Sequence, residues 1–152
     1  MDDWERRVAD AWASFGDYQD RADEFRALIE NLTAELPEQN PVAAFERAFA
    51  WDSTGHSDRA VPLYQRALDL GLTGYRRRRA VIQLSSSLHN IGQVEMAVTL
   101  LAAERAIDPA TPDDETRTLD DAINATLALC LSDSGREREA ISVAIDDLAH
   151  VV

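Results

Sequence analysis

Between residues 4 and 36 the apolar side chains fall at Trp4, Val8, Ala11, Phe15, Tyr18, Ala22, Phe25, Ile29, Leu32 and Leu36, in alternating steps of four and three. Such steps place every one of them on a single helical stripe, and the intervening positions are mostly Asp, Glu, Arg, Gln and Asn. The pattern predicts one long amphipathic helix over residues 1–36, about 50 Å in length if unbroken. Gly16 is its weak point, because glycine inside a helix costs about 1 kcal/mol relative to alanine and Asp17 could cap a second helix. The unbroken register across Gly16 favours one helix over a hairpin of two short ones. An apolar edge of that length needs a cover. The cover is either the rest of the chain, with the helix acting as a cap, or a second copy in a homodimer. Trp4, Val8, Phe15, Tyr18, Phe25, Ile29 and Leu32 form the seam in both cases.

From residue 41 onward the pattern repeats. Gly55, Gly92 and Gly135 are each followed five residues later by alanine (Ala60, Ala97, Ala140). Each is preceded by a small residue at minus seven (Ala48, Ser85, Ala128) and a large apolar one at minus four (Trp51, Leu88, Leu131). The spacing describes antiparallel helix pairs. Glycine makes the tight turn, small residues let the two helices approach, and larger ones fill the gap to the next pair. Asn40-Pro41 reads as an N-cap followed by an N1 proline, Gly71 as a helix stop, and Thr111-Pro112-Asp113-Asp114 as another capped start. That last start would open a long helix from about residue 112 to 133.

These positions resemble the tetratricopeptide repeat family, whose units run to about 34 residues. The resemblance covers residues 41–152 as three divergent pairs, about 41–72, 74–108 and 112–150. It departs from the family in spacing, since the hinge glycines are 37 and 43 residues apart (Gly55 to Gly92, Gly92 to Gly135). Leu72 and Val152 stand at two of the places where a proline closes a unit, with Pro109 at the other. Ala44, Val81 and Asn124 stand where an early aromatic is common. The resemblance implies an all-α, right-handed α-solenoid of stacked antiparallel helix pairs, preceded here by the long amino-terminal helix. It also implies a concave groove lined by the first helix of each pair, which takes a protein or peptide. Carried over, the groove positions are Phe45, Phe49 and Asp52, then Arg79, Ile82, Ser86 and His89, then Ala122, Ala125, Leu129 and Ser132. Phe45 and Phe49 would be the anchors, unless the amino-terminal helix fills the groove itself. A lysine-based clamp on a terminal carboxylate is not expected, because all 15 basic residues are Arg.

Charge narrows the partners further. With 28 acids the net charge is −13, which repels nucleic-acid phosphates over the whole surface. No apolar run approaches the roughly 18 residues of a membrane span. The acidic start, Met1 to Glu5, lacks the character of a secretory signal, so a cytoplasmic location is expected. Cys130 is the one cysteine and sits in an apolar run without a nearby histidine, as a buried small hydrophobe would. His56, His89 and His150 are scattered, so no metal site is expected. Asp113-Asp114-Glu115 and Asp120-Asp121 read as solvated helix starts. No enzyme and no cofactor are expected.

Arg76, Arg77, Arg78 and Arg79 resist this plain picture. Four consecutive cations in the first turns of a helix oppose its dipole by about 0.3–1 kcal/mol each. Either internal acids (Asp52, Asp69 or the cluster at 113–121) or an anionic partner must offset them. The expectation is a non-enzymatic adaptor, acting as a homodimer, that binds a protein or peptide in its groove. The alternatives are a self-associating regulatory module whose first helix occupies the groove, and a secretion-type chaperone. The apolar end, Ala149 to Val152, is expected to be covered by a dimer contact or by the long helix.

Overall fold

The computed structural model describes residues 2–107 and 114–149, and every regular element among them is helical. The chain divides into two units, Met1–Leu72 and Thr73–Val152. The first contains α1 (Asp3–Ala13), a 3-10 turn (Phe15–Tyr18), α2 (Ala22–Thr33), α3 (Pro41–Ser53) and α4 (Ser57–Asp69). The second contains α5 (Gly74–Asn90), α6 (Val94–Ala106), the single turn α7 (Asp114–Arg117), α8 (Asp120–Asp133) and α9 (Glu137–Ala149).

The three glycines are hinges, at φ +85° for Gly55, +86° for Gly92 and +79° for Gly135. Each makes the same pair of hydrogen bonds. The residue after glycine donates to the carbonyl five residues back: His56 to Trp51 at 2.9 Å, Gln93 to Leu88 at 2.8 Å, Arg136 to Leu131 at 2.8 Å. The glycine N–H donates three back, to Asp52, His89 and Ser132 at 3.0–3.1 Å. This is the Schellman closure, which satisfies carbonyls that the helix end would otherwise leave bare. The small residues that define the repeat are at the helix contacts: Ala48, Ala60, Ser85 and Ala97 are all 0% exposed. Asn40 caps α3 as its sequence predicts, accepting from the Val42 N–H at 2.9 Å.

The long amino-terminal helix is corrected. It breaks around Gly16 and folds back as the pair α1/α2. The Trp4 indole N–H donates to the Leu32 carbonyl at 2.8 Å, joining the start of one helix to the end of the other. Arg7 grips Glu35 with two bonds of 2.7 and 2.6 Å, which hold the Glu35 carboxyl below its ordinary range. Phe15 and Tyr18, in the turn, pack on Phe25 with ring centroids 4.7 and 5.6 Å away. The seam survives as one buried cluster of Val8, Ala11, Phe25, Ile29, Leu32 and Ala50, with Trp4, Trp12, Phe15 and Tyr18 packed on it. Much of its cover is therefore the chain itself, with Trp4, Trp12, Phe15 and Tyr18 left half-buried.

The helix expected over 112–133 is also interrupted, at Thr118-Leu119 between α7 and α8. Restarting at Asp120 places Asp120 and Asp121 in a first turn, where the helix dipole favours carboxylates. The capped start expected at Thr111 to Asp113, like the closing residues 150–152, lies outside the described residues.

The two kinds of glycine lead to opposite expectations. Gly92→Ala should lower stability by about 1–2 kcal/mol through left-handed backbone strain alone, since no atom lies within 4 Å of the added Cβ. Gly16→Ala, with ordinary φ and equally open surroundings, should be neutral or stabilising by up to about 1 kcal/mol. Urea midpoints of the two variants check both.

Candidate functional site

In the first unit the expected anchors are core. Phe45 is 4% exposed, stacked on Phe49 (5.8 Å, 22°) and beside Tyr64 at 6.2 Å. Phe49 meets the edge of Trp12, from α1, at 4.6 Å. Asp52 accepts from the Tyr64 hydroxyl at 3.0 Å, tying α3 to α4. Phe49 and Asp52 are half-buried, and the reading of Phe45 as an open anchor is corrected, because its ring is core.

The second unit is different. Arg78 on α5 pairs with Asp120 on α8 at 2.9 Å, joining the two amino-terminal ends. At the other ends His89 Nε2 and Asp133 Oδ2 are 2.5 Å apart. These two pins set α5 and α8 side by side and parallel, with Ile82 and Ser86 in the middle of one helix and Ala125 and Leu129 in the middle of the other. Ile82 is 9% exposed and belongs to the core rather than to an open groove. Ser86 and Ala122 are half-buried, Ala125 and Ser132 exposed, and Leu129 is 54% exposed. The open part of this face is a shallow strip with one large apolar side chain, Leu129, among small ones. It spans about 15 Å from Arg79 to His89.

The arginine run is mostly consumed inside the unit. Arg78 has a side chain only 12% exposed and also lies 3.8 Å from Glu104, while Arg77 reaches Glu104 at 3.3 Å. Arg79 donates to the Tyr75 hydroxyl at 3.3 Å. As an open patch for an anionic partner the run is corrected: its centre bridges α5 to α6 and α8. Asp120 falls in the acid cluster named from sequence. Glu104, 5% exposed on α6, was not legible because an isolated glutamate on a helix gives no sign of burial.

Sequence reasoning also missed a notch of about 200 Å³ in the first unit, lined by Arg26, Ala27, Ile29, Glu30, Arg47, Ala50 and Trp51. Arg26 and Arg59 lie over the Trp51 ring at 4.5 and 4.8 Å. Its guanidiniums are engaged: Arg26 by Asp23 and Thr54, Arg47 by Glu30 and Thr33. Glu46, 4% exposed, is another missed acid, accepting from the Trp12 indole at 2.7 Å.

Reactive groups do not converge. Cys130 is fully buried, and burial followed by the Asp133 charge raises its thiol pKa. Among the described residues no group of three His, Cys, Asp or Glu side chains could hold a metal ion, and no helix is long and apolar enough to cross a membrane.

With the hinges and packing in view, comparison with known proteins gives the class. The profile of the tetratricopeptide repeat family matches residues 41–152, and the chain belongs to that family. Among solved structures it is similar to a Podosopora anserina protein, assigned as a kinesin light chain, with nearly identical TPR-like repeats. That match has a TM-score of 0.75 and 23% identity, over 98% of this chain and 76% of the other. It is also similar to MamA from MSR-1, at TM-score 0.69 and 17% identity over 99% and 80% of the two chains. MamA from AMB-1 matches at 0.64 and 18%, over 84% and 67%. No curated protein sequence matches. The profile begins at the second pair; the structures extend the likeness to α1/α2.

Glu104→Gln removes the charge that compensates Arg77 and Arg78 and should destabilise the protein by about 3 kcal/mol, measured by chemical denaturation. At pH 8 Cys130 should resist alkylation in the native protein and react only on unfolding, in step with the loss of helical circular dichroism.

Proposed function

We propose that the chain is a non-enzymatic binding module, and that it holds a segment of another protein on the α5–α8 face of its second unit. One observation carries this reading. Leu129 is a large aliphatic side chain more than half exposed, at a position that the family resemblance assigns to the groove. Covering it with a partner would remove its apolar surface from water, which favours association. The surrounding small residues Ala125, Ser86 and Ser132 give an approaching chain room, and Arg79 sets a cationic end to the strip.

Family membership supports a scaffold role, and the engagement of Cys130 and His89 within the fold supports a role without catalysis. The first unit contributes stability rather than contacts. Trp12 and the rest of the α1/α2 pair already fill the space beside Phe49, which supports the alternative reading for that half of the chain: its amino-terminal segment occupies its own groove.

Selection from a displayed library of random peptides tests the proposal. Enriched peptides should lose about tenfold or more in affinity on Leu129→Ser, with the melting temperature unchanged. Phe45→Ala should instead lower stability by about 3–5 kcal/mol. A library that yields no binder, or binders indifferent to Leu129→Ser, would refute the assignment.

A further inference from the structure

We draw no further inference here: the strongest candidate, the exposed apolar stripe of Ile141, Ile145 and Leu148 along α9, carries nothing, because Asp120, Asp133, Glu139 and Asp146 of α8 and α9 are already paired within the chain and nothing in the structure shows what covers it.

Discussion

Everything in this fold depends on reversing a helix within three residues without leaving carbonyls unbonded. Trp51, Leu88 and Leu131 each contribute a backbone acceptor to the residue beyond the hinge glycine. That bond forms only when the glycine takes a left-handed φ, a conformation costly to any residue with a Cβ. The same reversal sets two helices side by side at close range. Ala48, Ala60, Ser85 and Ala97 are fully buried, and their small size suits helices that approach closely. Once paired, two helices still present an apolar side, so a pair is stable only within a stack. Turn, residue size and repeat are consequences of one geometric demand.

That demand explains which parts of the fold were legible in the sequence. The hinge requires glycine at one position and small residues at two others, so it leaves a signature in residue identity. The amino-terminal pair leaves a weaker one. Ala9 and Trp12 stand seven and four before Gly16, as in the other hinges, but the residue five after it is Arg21 and alanine comes one later, at Ala22. The 3-10 turn absorbs the extra residue. It also preserves the spacing of apolar side chains, so the inward faces of two antiparallel helices read as one straight seam. A heptad count fixes phase along a helix, not whether the chain has turned back on itself. Trp4 bonding to Leu32 contains the missing information, and that contact spans 28 residues.

The site was less legible for a related reason. Groove positions transferred from a repeat family identify which side of a helix faces the concave surface, but not what else packs there. Phe45 and Phe49 were plausible anchors by type, but Phe45 is buried and Trp12 packs on Phe49. Arg76 to Arg79 presented the opposite difficulty. Four cations at a helix start imply a compensating charge, and chemistry alone could not say whether it was internal. The structure supplies Glu104 and Asp120, 27 and 42 residues away from Arg77 and Arg78 along the chain. Burying a carboxylate such as Glu104 is costly unless it is paired, so the arginines and the glutamate each account for the other's presence.

A division of labour follows from where the apolar side chains ended up. In the first unit Trp4, Trp12, Phe15, Tyr18 and Phe25 are packed into one aromatic cluster with α2 and α3, and no large apolar group is left exposed among the described residues. The second unit has no Trp or Phe at all; its core is built from Val, Ile, Leu, Ala and buried Ser. Its aliphatic side chains are also distributed less economically, with Leu129, Ile141, Ile145 and Leu148 turned outward. Folding does not require them there, because exposed positions tolerate polar residues at little energetic cost. These side chains therefore contribute little to the core of their unit. One half of the chain has packed away its large apolar side chains, and the other leaves several of its own in contact with solvent.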